Sequence, residues 1–431
     1  MFDRIDIQPF AQPPDASVSV PGSKSITNRA LVAAALAEGR SLLHGALFSD
    51  DTRCMLEALR ALGLQVASDE AAATLAVEGA GGRVPSPAAE LFVGNSGTTV
   101  RFLTALVALG HGRYRLDGIP RMRQRPIEPL LDSLRQLGAH AFSEQGTGCP
   151  PVVVQANGLT GGHARMRGDL SSQFFSALLL AAPVTRQGME IEVEGELVSK
   201  PYIDLTAAVM RAFGASMSHD EYRRLRVPGG QRYQAREYEI EPDASNASYF
   251  FAAAAITGGH VRVEGLGRES AQGDYRFLEI LERMGCRVER GADATEVWGT
   301  GSLQGVEADM KDISDMAQTL AALAPFAAGP TLIRGIAHTR LQETDRVAAM
   351  VTELRRLGQS VEEYPDGLRI TPAPVRPAEL ATYDDHRMAM AFALIGLRVP
   401  GIRLLDPACV AKTFPDYFSR LDSLRPRTPT I

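Results

Sequence analysis

Six short polar segments in this 431-residue chain stand in front of runs of small apolar residues. The first reads Pro21-Gly22-Ser23-Lys24-Ser25-Ile26-Thr27-Asn28-Arg29. Gly and Ser let backbone N–H groups approach a ligand, and Lys24 adds a mobile cation. Ser25 and Arg29 stand four apart, on one face of a helix. Together these suit a phosphate or a carboxylate. The bland alternative is a Gly-Ser cap with a solvated lysine, and the GxxxxGK spacing of a Walker loop is absent. Asn95-Ser96-Gly97-Thr98 is a second small-residue cap, with Arg101 behind it. A later loop carries Arg121, Arg123 and Arg125, and Ser171-Ser172-Gln173 opens a third helix with hydroxyls and an amide. Arg346, Arg387 and Lys412 recur at equivalent places further on. A single surface arginine is usually only solvated, and the recurrence is what favours an anion site.

Two carboxylates interrupt this basic set. Asp315 opens the predicted fifth helix, and Glu343 lies in the loop after the next strand. An acid at a helix start ordinarily caps it. Among cations and bound anions, paired acids suit the movement of protons. Asp50 and Asp51 read as capping or buried structural acids. Asp384, Asp385 and His386 resemble a metal cluster, but no second set of ligands is spaced to complete one, so no metal site is expected.

The elements that must position these groups repeat with a period of roughly seventy residues. Each repeat has a small, apolar helix after a Ser, Asn, Asp or Gly suited to an N-cap. A glycine then leads into a strand, a polar loop and an amphipathic helix ending near Leu-Gly, as in MLEALRALG from Met55 and LLDSLRQLG from Leu130. Six copies imply six βαβ-type units in two groups of three. The apolar helices should be buried. If they run parallel, their N-termini gather on one face, and their dipoles make it attractive to anions.

The length exceeds what one core usually fills. A formal charge of −6 advertises neither nucleic acid nor an anionic membrane as a partner. Four scattered cysteines, Cys54, Cys149, Cys286 and Cys409, form no CxxC pair or disulfide framework. The first ten residues hold no apolar run like that of a signal peptide, and the apolar stretches are too short to span a bilayer. A cytoplasmic, reduced protein is expected.

The ordered motifs PGSKSITNRAL, LFVGNSGTTVRF, RMRQRPI, GDLSSQF, LVSKPYIDLT, PDASNASYF, RLQETDR, DDHRMAMAFAL and AKTFPDYF resemble the EPSP synthase family along almost the whole chain. The resemblance implies an α/β fold, a two-domain inverse α/β barrel built from six βαβαββ repeats. Residues 22–240 would form one domain, and 1–21 with 241–431 the other. It implies that Lys24, Ser25, Arg29, Ser171, Ser172, Gln173, Ser199 and Tyr202 hold shikimate 3-phosphate, with Asp315, His338 and Gln342 beside it. Lys24, Gly97, Arg125, Gln173, Arg346, Arg387 and Lys412 would grip phosphoenolpyruvate. Asp315 would accept the proton of the attacking hydroxyl, Glu343 with Lys24 would manage the proton at the methylene carbon, and His386 would line the site. No cofactor is implied, and a monomer is expected.

The alternatives are the sister enzyme that transfers enolpyruvyl to UDP-N-acetylglucosamine and a non-catalytic anion-binding protein on the same scaffold. The sister family usually carries a reactive cysteine in the loop matching Gly118–Ile127, where this chain has arginines and no cysteine. Three positions depart from the family. His338 and Gln342 stand where Asn and Lys are common, and Phe102 where some members have proline. Gln342 would offer the substrate only a neutral amide, and His338 would make up part of the difference when protonated, near pH 6.5.

Overall fold

A computed structural model describes residues 4–425. The chain divides into two compact units, one of Gly22–Ile240 and one of the described residues within 1–21 and 241–431. Each has its own apolar core, with no buried residue shared between them.

Twelve α-helices occur among the described residues, alternating in character along the chain. In the first unit they are α1 (Lys24–Leu36), α2 (Asp50–Ala61), α3 (Gly97–Val107), α4 (Glu128–Gln136), α5 (Ser172–Ala181) and α6 (Pro201–Ala212). In the second they are α7 (Ala244–Thr257), α8 (Phe277–Arg283), α9 (Ala317–Leu323), α10 (Arg346–Arg356), α11 (His386–Gly396) and α12 (Tyr417–Asp422). The odd-numbered helices are the small apolar runs. Every residue of α1 from Ile26 onward is buried, and so is the whole of α3 and of α11. Within each unit the three odd helices pack on one another, because runs such as Ala33-Ala34-Ala35 and Ala252-Ala253-Ala254-Ala255 let helix axes approach closely. The longer even-numbered helices are amphipathic. The glycines after them adopt the left-handed conformation that ends a helix, with φ +86° at Gly63 and +87° at Gly358.

Among the described residues the strands form five four-stranded sheets and one of three strands. One sheet shows the common pattern. Ala88–Phe92 lies parallel to His111–Asp117, which pairs antiparallel with Val152–Asn157, itself the partner of His140–Ser143. That is one βαβαββ repeat, with an odd helix after its first strand and an even helix after its second. Each unit closes on itself. Glu237–Glu239 pairs parallel with Glu38–His44 in the first, and Asp15–Val18 with His260–Glu264 in the second. The sixth sheet departs from the expectation of six equal repeats. Arg4–Ile7 adds antiparallel to Ile402–Leu405, satisfying an edge where the other sheets place a hairpin strand.

Helices inside and sheets outside require close contact between them. Gly79 lies in Thr74–Ala80 against the end of α1, where a Cβ would fall 2.3 Å from the Ala37 carbonyl oxygen and 2.4 Å from that of Ala34. Backbone cannot yield as a side chain does. Gly79→Ala is therefore expected to destabilise the protein by about 1–3 kcal/mol. Denaturant unfolding checks this, and an unchanged midpoint would show that the sheet shifts freely on the helix.

Candidate active site

In the first unit the odd-helix starts carry the expected caps. Ser23 Oγ accepts from Ile26 N, Ser96 Oγ from Thr99 N and Ser171 Oγ from Gln173 N. At the start of α1, the Lys24 ammonium lies 3.3 Å from the Asp51 carboxylate. Asp51 is thus no cap. Ser49 occupies the α2 cap position, its N–H donating to Thr52 Oγ1 at 2.9 Å, and Asp51 is left to pair with Lys24. The doubled acid at Asp50-Asp51 was the only hint of this in the sequence.

Arg29 is fully buried, which lowers its pKa to about 10, so it remains charged at neutral pH. Its nitrogens donate to Thr206 Oγ1 at 2.8 Å, the Ser25 carbonyl at 2.9 Å, Ser176 Oγ at 3.1 Å and the Tyr202 carbonyl at 3.3 Å. The guanidinium also lies over the Phe102 and Tyr202 rings, at 5.3 and 5.7 Å. Phe102 therefore serves as a stacking face for Arg29. Ser199 precedes this group in a left-handed conformation, φ +56°, that is uncommon outside glycine.

Gly97 opens α3 between two guanidiniums. A Cβ there would lie 2.6 Å from Arg125 Nη2 and 2.7 Å from Arg101 Nη1. Arg125 donates to the Asn95 carbonyl at 2.8 Å, and Arg101 to Gln173 Oε1 at 2.6 Å. Ser172 is buried as the first residue of α5. Of the three loop arginines, Arg125 joins this group. Arg123 forms a two-point bridge to Asp117, at 2.9 and 2.7 Å, and Arg121 donates to Gln124.

In the second unit, Asp243 caps α7 and Asp385 caps α11, accepting from Asn246 N at 2.9 Å and Arg387 N at 2.8 Å. Asp315 breaks the series. It sits in a 3₁₀ turn, Ser314–Met316, that makes no side-chain cap. Its carboxylate receives Arg346 at 3.1 Å and Arg387 at 2.6 Å. Arg346 is the hub of the group. It is 2% exposed and also bonds Asp385 at 2.8 Å, Glu343 at 2.9 Å and the Gln342 amide oxygen. Burial opposes its charge, but Asp385, Glu343 and Asp315 outweigh that and raise its pKa. Lys412 lies 3.1 Å from the other Glu343 oxygen. Tyr383 and Asp384, both left-handed at φ +58° and +53°, lead into the Asp385 cap.

His386 is buried at the start of α11, with Nδ1 3.7 Å from Asp385. Among the described residues no group of three or more His, Cys, Asp and Glu is placed to hold a metal ion. Asp385 is committed to Arg346 and to its helix. Gln342 directs its oxygen at Arg346, a contact no lysine makes. His338 is buried, its Nε2 2.9 Å from Ser314 Oγ. Burial lowers its pKa to about 4 against the pull of Asp315. The expectation of a charge on His338 near pH 6.5 is thereby overturned.

The EPSP synthase profile (3-phosphoshikimate 1-carboxyvinyltransferase) matches residues 11–421. The chain belongs to the EPSP synthase family. It is 53% identical over 419 residues to a 3-phosphoshikimate 1-carboxyvinyltransferase of Nostoc punctiforme, covering 97% of this chain and 98% of that one. To the protein of that description in Serratia proteamaculans it is 48% identical over 424 residues, 98% of each chain. The solved EPSP synthase of Acinetobacter baumannii superimposes with a TM-score of 0.82 at 26% identity, over 98% of both chains. The inside-out α/β fold is thus the family fold.

The buried His338 carries a pH prediction. Its pKa is about 4 folded and near 6.5 unfolded. The unfolded chain therefore takes up this proton first as pH falls. Stability is full above about pH 6.5 and declines down to about pH 4. Between pH 7.5 and pH 5 the contribution is about 1–2 kcal/mol. His338→Asn should lose that part of the pH dependence in denaturant titrations, and equal slopes for the two proteins would place the imidazole in water.

Proposed function

We propose that this chain transfers the enolpyruvyl group of phosphoenolpyruvate to the 5-hydroxyl of shikimate 3-phosphate, releasing phosphate. The observation that carries the reading is Asp315, a carboxylate held between Arg346 and Arg387. Relatives of that activity at about half identity support it. On this reading the two units are the two domains, as the separate apolar core of each supports, and the protein works as a monomer in the cytoplasm. Among the described residues no helix is long and apolar enough to cross a membrane.

The roles follow from the chemistry. Lys24, Ser25, Arg29, Ser171, Ser172, Gln173, Ser199 and Tyr202 would bind shikimate 3-phosphate, with His338 and Gln342 near its ring. Arg29 suits a carboxylate or phosphate because five bonding and stacking partners already fix its plane. Lys24, Gly97, Arg125, Gln173, Arg346, Arg387 and Lys412 would bind phosphoenolpyruvate. Asp315 takes the hydroxyl proton as oxygen attacks C2. Glu343 with Lys24 manages the proton at the methylene carbon, which is added as C2 is attacked and taken back when the adduct collapses, and His386 lines the site. The tetrahedral adduct then loses phosphate from C2 and a proton from the methyl group, restoring the double bond. In the ligand-free state Asp315 is held by two guanidiniums, which weakens it as a base. A substrate anion that engages Arg346 and Arg387 loosens that hold and raises the proton affinity of Asp315. Binding and base strength are coupled in this way.

Purified protein should release phosphate from phosphoenolpyruvate only when shikimate 3-phosphate is present, and turnover with UDP-N-acetylglucosamine would sink the assignment. Asp315→Asn should lower turnover by about 10²–10⁴ while binding of shikimate 3-phosphate changes much less. A near-normal rate would remove Asp315 from the chemistry.

Gly97→Ala tests the phosphoenolpyruvate contacts alone. The new methyl displaces the flexible ends of Arg101 and Arg125, so the fold should survive, with an unfolding midpoint within about 0.5 kcal/mol of wild type. The KM for phosphoenolpyruvate should rise about tenfold or more, and that for shikimate 3-phosphate about twofold at most. Equal rises in both would mean a general distortion.

A further inference from the structure

Glu353 lies two turns along α10 from Arg346 and has no exposed surface. A buried carboxylate is costly unless its oxygens are bonded. Its Oε1 accepts from the Tyr383 hydroxyl at 2.6 Å, and its Oε2 from the Ala381 N–H at 3.3 Å. Arg356, the last residue of α10, has its Nε 3.3 Å from Glu353 Oε2 and donates to the Glu379 carbonyl at 3.1 Å. Two side chains of one helix thus fasten residues 379–383.

That segment runs straight into the left-handed pair Tyr383 and Asp384, and from there into Asp385. Two such residues in succession cost backbone energy, and a turn of this kind persists only where its surroundings hold it. The Asp385 N–H closes the turn on the Thr382 carbonyl at 2.9 Å, and Thr382 Oγ1 donates to the Asp406 carbonyl at 3.2 Å. The Asp385 carboxylate then accepts from Arg346 Nε at 2.8 Å and from the Arg387 N–H at 2.8 Å. The path begins and ends on α10: Glu353 grips the turn, the turn aims Asp385, and Asp385 meets Arg346.

We infer that Glu353 is a positioning residue for Arg346 and Arg387, acting through the turn at 381–385. By holding Ala381 and Tyr383 it fixes the Asp385 carboxylate. Asp385 in turn fixes the plane of the Arg346 guanidinium and the first turn of α11, from which Arg387 extends. Because Glu353 and Arg346 stand on one helix, the anchor and the group it positions keep a constant separation. The inference rests on the proposed function only in taking phosphoenolpyruvate as the anion that the two arginines receive.

Tyr383→Phe removes one donor from a partly exposed side chain and leaves the core intact. In the ligand-free protein it should speed amide exchange of residues 384–388 about fivefold, the worth of one hydrogen bond, with exchange of residues 244–248 behind the Asp243 cap unchanged. The KM for phosphoenolpyruvate should rise about fivefold. The KM for shikimate 3-phosphate should rise less than about twofold, and kcat should change less than about threefold. Glu353→Gln keeps the size but leaves one acceptor oxygen for donors on both sides. It should raise the KM for phosphoenolpyruvate about tenfold, and the double variant no further, because both changes break one contact. Multiplied effects, equal rises in the two KM values, an unchanged KM or unchanged exchange would each overturn the inference. If Glu353→Gln does not fold, Tyr383→Phe decides by itself. If wild type releases no phosphate from the two substrates, the functional reading fails instead, and the exchange rates of the ligand-free proteins alone decide the inference.

Discussion

A helix buried along its whole length still has four N–H groups at its start that no turn of its own can satisfy. Five of the six inner helices answer this with a side-chain cap, from Ser23, Ser96, Ser171, Asp243 or Asp385. The burial of these helices dictates the rest. Their bodies must be small and apolar to pack on one another, so polar chemistry is pressed into the first turn and into the loops beside it. Lys24, Gly97, Ser172 and Arg387 all stand within two residues of a helix start.

The second consequence is electrostatic. Removing a charge from water costs several kcal/mol unless it is paired and hydrogen-bonded. The two units meet this differently. In the first, Arg29 is held by hydroxyls, carbonyls and aromatic faces, and no carboxylate is bonded to it. Such a cation is not neutralised by a bonded acid. In the second, Arg346 is bonded to three carboxylates, two of which also reach Arg387 and Lys412. That network is closer to neutral, and an incoming anion must exchange partners within it. The asymmetry agrees with proposed roles in which the first unit mainly binds and the second moves protons.

The exchange also explains why acids lie in a site built for anions. Asp315 and Glu343 hold the cations in place while the site is empty. On the proposed function, a ligand that takes over the cations frees these carboxylates for proton transfer. The strained backbone at Tyr383 and Asp384 fits this view, since it aims the Asp385 cap, and through it Arg346 and Arg387, from a turn that most residues avoid.

The sequence by itself determined the six repeats, the buried and amphipathic helices, the glycine stops and the family, because each is written in local order: a period of apolar residues, a cap, a motif. It also brought Gly97, Arg125, Arg346 and Glu343 to notice as residue types. Only the tertiary structure decided which charges meet. Asp51 reads as a capping or a buried structural acid until Ser49 takes the cap and Lys24 pairs with it, which leaves the buried alternative. Arg123 reads like Arg125 until Asp117 claims it. His338 reads as titratable near neutrality until burial lowers its pKa. Partners separated by tens to hundreds of residues share no local pattern, and the sixth sheet borrows Arg4–Ile7 from the far end of the chain. Pairing and burial arise from packing, where distance and dielectric, not sequence spacing, set the energy.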